Sequence, residues 1–283
     1  MKASYIAFAA GLLALSSVTA GCLEGAQDFE VHGDGSGVVS MGMKLGAEFS
    51  EMVAKSFEGK KPEQLDLEAF GKVSEDFEGV YWEEATQRIV DGKVVIKARG
   101  VFPDVRKVKQ LKTKTELVEG ELKKVKQENL LFTFEQNDSG GKLSLKMDSG
   151  EKKKKDKEPE GPEAEMMKKQ MEKMFEKMFK DLKFRVSVRP PGKISKNGLM
   201  DLGDNRAGFE FTLAMLKDKA LTEGRTVIDG EVTWEGKTAA PSGFAERLEK
   251  AKKHHAELKK QAEAAEKASE KEDHEEMPDD DGD

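Results

Sequence analysis

The chain has 283 residues, of which 36% are charged, with a formal net charge of -7, a mean hydropathy of -0.66 and one cysteine. This composition excludes a disulfide-stabilised domain, because a single cysteine cannot pair within its own chain. The acidic balance, with no basic stretch interleaved with aromatic residues, predicts no nucleic-acid partner.

Residues 1–21 are typical of an export signal. Lys2 precedes an uncharged apolar run from Ile6 to Leu15, and small residues follow up to Gly21. This run is shorter than the roughly 20 residues that a helix needs to span a bilayer. We therefore expect cleavage of this segment, which removes it from the mature fold.

Cys22 follows this signal directly, and the stretch Ala20-Gly21-Cys22 resembles the lipobox of bacterial lipoproteins. The resemblance implies cleavage before Cys22 and lipidation of its sulfur, with residues 22–27 as a tether to the membrane. Two or more acyl chains anchor a protein firmly, whereas one holds it only marginally.

Leu23, with no aspartate after the cysteine, resembles the class sorted to the outer membrane. The domain is then expected outside the cytoplasm, on the cell membrane or outer membrane. Ordinary cleavage after Ala20, leaving a free thiol, is the alternative.

The first predicted elements of the body are a hairpin and two helices. Apolar residues alternate with polar ones on both sides of Gly33-Asp34-Gly35-Ser36-Gly37, which predicts two strands joined by a turn. Helical spacing follows in residues 49–57 and again after Pro62, up to Phe77. The glycine-rich turn lacks the Gly-Lys-Ser/Thr ending of a phosphate loop and the further carboxylates of a calcium loop.

Two more hairpins are predicted in the middle of the chain. Asp91-Gly92 separates two strand-like runs, and residues 137–141 separate the strands 130–134 and 142–147. A helical turn is predicted within residues 103–111. A charged linker at 149–162 then interrupts the domain, because it contains almost no apolar side chain.

Residues 163–182 predict the clearest helix of the chain, with a methionine stripe along one side. The stripe is formed by Met167, Met171, Met174 and Met178, with Phe175 beside it. Three interpretations stay open: core packing against a sheet, an adaptable cover for a lipid or protein partner, and Cu(I) binding by thioethers. The tentative ligand-binding residues are Met171, Met174, Phe175 and Met178.

The last third predicts further strands and a charged tail. Strands are expected at 184–188, 209–213 and 227–234. Residues 237–283 are expected to form a charged helix that becomes disordered towards the acidic end. An apolar seam of Phe244, Leu248, Ala251 and Leu258 fades after Ala265, which favours a solvated spacer over a coiled coil.

The pattern of strands in hairpins and helices in clusters predicts an α+β domain over residues 28–236, with a mostly antiparallel sheet packed by helices. The stretches FEVHGDGSGVVSM (29–41) and FRVSVRPPGKISKNG (184–198) resemble the LppM-like domain of bacterial lipoproteins. That resemblance implies a small α+β domain outside the cytoplasmic membrane, without enzymatic chemistry.

No constellation of residues predicts catalysis, a metal or a cofactor. His32 lies in a predicted strand, which favours a structural role, while the adjacent His254 and His255 lie in the charged tail. There is no nucleophile elbow and no identifiable acid–base pair. The sequence therefore predicts a membrane-anchored binding or structural module of the cell envelope. The alternative is an anchored hydrolase whose residues meet only in the folded chain.

Overall fold

A computed structural model describes residues 23–45, 50, 57, 59–118, 121–148, 182–217, 227–236 and 238–275. The signal segment, Cys22, the charged linker and nearly all of the predicted methionine helix lie outside these residues. The tentative ligand-binding residues Met171, Met174, Phe175 and Met178 are among those not described.

The described part of the chain contains thirteen strands and three helices. The strands are β1 (Leu23–Val31), β2 (Gly37–Leu45), β3 (Phe77–Glu78), β4 (Tyr81–Val90), β5 (Lys93–Phe102), β6 (Lys109–Val118), β7 (Glu121–Gln136), β8 (Gly140–Asp148), β9 (Lys183–Arg189), β10 (Lys193–Asn197), β11 (Met200–Asp201), β12 (Ala207–Thr212) and β13 (Val227–Glu235). The helices are α1 (Pro62–Asp76), α2 (Leu213–Lys217) and α3 (Phe244–Glu275), and a 3-10 turn spans Val105–Lys107.

The strands form two sheets. The larger has the order β11-β12-β9-β1-β2-β5-β4, and the smaller has the order β10-β13-β8-β7-β6-β3. Strand pairs in the described residues are antiparallel except β1 with β9, which run parallel. The prediction of an α+β fold with largely antiparallel pairing is confirmed, but the strands are divided between two sheets.

One core connects the two sheets. Phe29 of β1 meets Phe132 of β7 edge to face, with ring centroids 4.9 Å apart, and Phe102 of β5 lies 6.5 Å from Phe29. A continuous cluster of buried apolar side chains contains residues of both sheets and of α1. Burial of apolar surface is the main force that stabilises a fold, so the two sheets are expected to behave as one unit.

The N-terminal strand begins earlier than expected. β1 starts at Leu23 and pairs with β2 and β9 along its length, so most of the predicted tether at 22–27 is part of the larger sheet. Gln27 is only 1% exposed. Pairing on both sides satisfies the backbone of this segment and holds it inside the fold, so residues 23–27 do not form a free tether.

Helix α3 is not a solvated spacer over its first half. Phe244 and Ala251 are buried against Val101 of β5, with Leu248 partly buried beside them. Further along, Leu258 and Ala262 pack against the main core. The apolar seam predicted from the sequence therefore lies on the domain, and the interpretation of this segment as a spacer was wrong.

Candidate functional site

The β1–β2 turn brings together three side chains that carry chemistry. Ser36 Oγ donates to Asp34 Oδ1 at 2.6 Å, and His32 Nδ1 lies 3.0 Å from the same hydroxyl. Because the serine has one proton and gives it to Asp34, His32 Nδ1–H is the donor to Ser36 Oγ. His32 and Ser36 are buried, whereas Asp34 is exposed.

This order of hydrogen bonds is suited to holding a turn. A serine nucleophile needs its proton directed towards a histidine that a carboxylate orients. Here the serine stands between the other two groups, and its proton points to Asp34. The backbone N–H of Ser36 also donates to Asp34 Oδ1 at 3.0 Å, which is an Asx-type turn. Gly35, with φ +85°, supplies the left-handed residue that this turn requires.

The same turn is a junction between distant segments. Gly35 O accepts from Val105 N–H at 2.8 Å, and Gly33 N–H donates to Thr238 O at 2.8 Å. The His32 ring meets Phe244 of α3 edge to face at 4.7 Å. Burial lowers the pKa of His32, the positive Arg247 lowers it further, and Asp34 and Glu30 partly oppose this. His32 follows the last residue of β1, and its ring connects the turn to α3.

His255 makes a second contact between α3 and the larger sheet, and the sequence did not indicate it. Its Nδ1 accepts a hydrogen bond from the backbone N–H of Trp82 at 3.1 Å. Trp82 belongs to β4, the edge strand of the sheet. The imidazole lies edge to face with Phe70 of α1 at 5.1 Å and with Tyr81 at 5.9 Å. The helix thus satisfies an edge-strand donor that would otherwise be open to pairing with another chain.

The environment of His255 favours its neutral form. Burial is the main cause that lowers the pKa of His255, and the electrostatic effects of Lys259 and His254 act in the same direction. A neutral ring is also required by the contact itself, because a protonated Nδ1 cannot accept from Trp82 N–H. A histidine directly after another in a charged helix gave no sequence signal for this contact. The packing of the helix determines that His255, and not His254, is directed towards the sheet.

An ion pair completes the docking of α3. Arg247 holds Glu83 with two hydrogen bonds, Nε to Oε1 at 2.7 Å and Nη2 to Oε2 at 2.6 Å. Glu83 lies where β4 shifts register against β5, between Trp82 and Glu84. A bidentate pair fixes orientation as well as distance, so it defines the position of the helix along the edge strand.

A polar groove of about 770 Å³ lies at the β7–β8 turn. It is lined by residues 135–137 and 139–142 together with Trp234 and Glu235. Trp234 stacks on Phe134 at 5.7 Å and donates from Nε1 to Gln136 Oε1 at 3.2 Å. Within the turn, Asn137 Oδ1 accepts hydrogen bonds from Ser139 N–H, Ser139 Oγ and Gly140 N–H. Lys142 of the lining forms an ion pair with Glu231.

Within the residues that the structure describes, no three His, Cys, Asp or Glu side chains are placed to hold a metal ion. No helix in this described portion has the length and apolar character needed to cross a membrane. The predicted lipidation residue Cys22 and the methionine stripe are outside the described residues, so the structure brings none of them to a site.

Comparison with known proteins gives one structural likeness. No family model and no curated protein matches the chain. The chain is similar to the NMR structure of the folded domain of the LppM protein of Mycobacterium tuberculosis, with 8% sequence identity and a TM-score of 0.31. The match covers 79% of this chain and 94% of that chain.

Proposed function

We propose that the protein is a lipid-anchored, non-catalytic binding or structural module of the bacterial cell envelope. The observation that carries the proposal is Cys22, the only cysteine of the chain, directly after an export-type segment. The fold supports it because β1 begins at Leu23, so the lipidated residue would adjoin the domain without a spacer. The turn at His32 supports a non-catalytic role, since its polar groups hold the fold together.

The ligand class that the sequence favours is a lipid or another apolar molecule. The support is the methionine stripe with Phe175, because flexible thioether side chains repack around apolar shapes. If the stripe is a cover, Met174→Ala with Phe175→Ala leaves the melting temperature nearly unchanged and weakens lipid binding. If it is core, the same double change costs several kcal/mol, at about 2–5 kcal/mol for truncation of each large side chain.

Anchoring is tested on the full-length protein in its bacterial host. Intact-mass analysis of detergent-extracted protein should show a chain that starts at Cys22 and carries the mass of at least two acyl groups. Cys22→Ala should move the protein from the membrane fraction to the soluble fraction, whereas Ser36→Ala should leave it in the membrane. A wild-type mature chain without lipid mass contradicts the proposal.

An anchored hydrolase is the second candidate, because His32, Ser36 and Asp34 are the residue types of a hydrolase site and lie in contact with one another. A hydrolase built on this turn would be labelled at Ser36 by a fluorophosphonate probe, and Ser36→Ala would abolish the labelling. We expect no labelling of the wild-type protein, because Ser36 is 4% exposed and donates its proton to Asp34.

A further inference from the structure

We propose that the tip of the β4–β5 hairpin, formed by Ile89 and Val90, rests in the surface of the bilayer as a second membrane contact beside the lipidated N-terminus. The inference rests on the proposed anchoring at Cys22. It adds an orientation: the end of the larger sheet that carries the start of β1 faces the membrane, and the His32 turn faces away.

The register of the larger sheet brings the hairpin tip and the start of β1 to one end. Leu23 pairs with Leu45, and Lys44 pairs with Val95, which in turn pairs with Arg88. The next row along the strands therefore contains Leu23, Leu45, Val94 and Ile89. Ser50 links two members of that row, because its Oγ donates to Leu45 O at 3.2 Å and accepts from Val94 N–H at 2.8 Å.

The tip extends past this row in the direction of Cys22. Val90 pairs with Lys93 one residue further on, and the turn Asp91-Gly92 comes last. At about 3.3 Å per residue, the turn projects roughly 6 Å beyond Leu23. Three strand spacings of about 4.8 Å separate β4 from β1, so the tip lies about 14 Å to the side of the anchored strand. An acyl group on Cys22 would hold this whole end at the bilayer.

Exposure marks the tip as the apolar feature of that end. Ile89 and Val90 are each 49% exposed, and with Met200 they are the large apolar side chains found exposed among those whose burial the structure describes. The turn is tight: Asp91 and Gly92 have φ of +50° and +70°, which is the conformation of two-residue hairpins. Ile89 and Val90 lie directly before it on β4, one on each face of the hairpin, and two exposed apolar side chains at the end of a hairpin match an interfacial contact, where apolar groups enter the acyl boundary.

The charges around the tip are nearly balanced. Arg88 pairs with Asp66, Glu63 adds a further negative charge near Arg88, and Asp91 and Lys93 carry opposite charges on the two sides of Gly92. The contact is therefore apolar in character and does not require an anionic lipid. The opposite end of the sheet is different, because the His32 turn is held by Val105, Thr238 and Phe244.

The test places an environment-sensitive fluorophore on the full-length, lipidated protein. Because an acylated Cys22 does not react with maleimides, Val90→Cys supplies a unique thiol for a nitrobenzoxadiazole label. Asp138→Cys is the matched control: it is also in an exposed hairpin turn, and it belongs to the β7–β8 hairpin, whose Phe134 ring would lie 3.5 Å from a Cβ placed on Gly35 at the opposite end. Both proteins are reconstituted into phosphatidylcholine vesicles and into vesicles that also contain phosphatidylglycerol.

We expect the label at 90 to shift to the blue on reconstitution in both lipids, to lose emission to a spin-labelled lipid and to resist aqueous iodide. The label at 138 should keep its emission wavelength, should not be quenched by the spin-labelled lipid and should be quenched by aqueous iodide. Equal iodide quenching at the two positions in a chain with lipid mass at Cys22 overturns the orientation and leaves the anchoring proposal standing. A chain without that lipid mass overturns both. Melting temperatures equal to wild type show that the labels leave the fold intact, and Ile89→Cys repeats the test if position 90 does not tolerate the label.

Discussion

At the scale of single residues, His255 has the most specific role in the structure. It satisfies one N–H on an edge strand while its ring contacts aromatic side chains from α1 and β4. This role requires the neutral imidazole, and burial lowers the pKa of both His255 and His32. His255, whose contact requires a neutral ring, and His32, whose ring meets Phe244, thus both contribute to the docking of the same helix.

The pH dependence of stability follows from these two pKa directions. An unfolded histidine titrates near pH 6.5, and the folded-state pKa of each group is lower. Between the folded and unfolded pKa values the unfolded chain binds more protons, so stability rises with pH in that window. The stabilisation is fully present above about pH 6.5 and is lost as the pH falls towards the folded values.

We expect the free energy of unfolding in urea to be lower at pH 5.5 than at pH 7.5. His255→Ala should cost about 1 kcal/mol at pH 7.5, because Trp82 N–H loses its acceptor. His255→Asn keeps an acceptor but does not titrate, so it should reduce the pH dependence with a smaller loss at pH 7.5. The same pH dependence in His255→Asn as in wild type would contradict this assignment.

Two glycines of β2 give a matched pair for a steric test. A Cβ at Gly37 would lie 2.0 Å from Glu30 O and 2.5 Å from the ring of Phe102, whereas a Cβ at Gly42 would meet no atom within 4 Å. Gly37→Ala should therefore destabilise the protein by about 2 kcal/mol or more, because the backbone itself must move. Gly42→Ala should be neutral or slightly stabilising. Thermal melts of both variants check the contrast, and similar melting temperatures would contradict it.

At the scale of elements, α3 protects the open edge of the larger sheet. It crosses β4 with Arg247 on Glu83 and His255 on Trp82, and its apolar seam covers Val101. An unpaired edge strand is a template for pairing with other chains, and a covering helix prevents this. The element predicted as a spacer therefore has a protective role over its first half.

The same helix offers a controlled test of docking. Ala251 is buried against β5, and Ala264 is exposed further along. Ala251→Asp should release the helix at a cost of about 2–4 kcal/mol, because it buries an unpaired charge. We expect rapid tryptic cleavage within 244–260 and concentration-dependent association through the exposed edge. Ala264→Asp should behave as wild type, and equal protease resistance of the two variants would count against docking.

Strands and helices could be predicted from the sequence where a short local pattern marks them. Asp91-Gly92 and the turn at 33–37 join strands with clear alternation, and both hairpins were predicted. β6 and β10 consist largely of lysine and polar residues, so neither contains a clear run of alternating apolar residues, and both strands were missed. The apolar seam of α3 was visible in the sequence, but the charged residues around it led to the prediction of a solvent-exposed helix. The contact of His255 depends on packing between distant elements, which no local pattern encodes.

At the scale of the whole molecule, the two sheets share one core. Phe132 of the smaller sheet packs against Phe29 of the larger, and both are buried. Phe132→Ala should lower stability by about 3–5 kcal/mol. Calorimetry and near-ultraviolet circular dichroism should still report one coincident transition, because each sheet needs the other to bury its apolar face. Two separated transitions would contradict a shared core.

The parallel pairing of β1 with β9 has a consequence for the order of folding. β1 lies between β2, its neighbour along the chain, and β9, whose partner residue Lys183 lies more than 150 positions after Glu24. The larger sheet is therefore divided until that late strand arrives, and contacts of such long sequence separation form slowly. If Cys22 is held at a membrane, the chain would remain there with one hydrogen-bonding edge of β1 unpaired until β9 is in place. The acquisition of β9 would then be the step that commits the protein to its native topology.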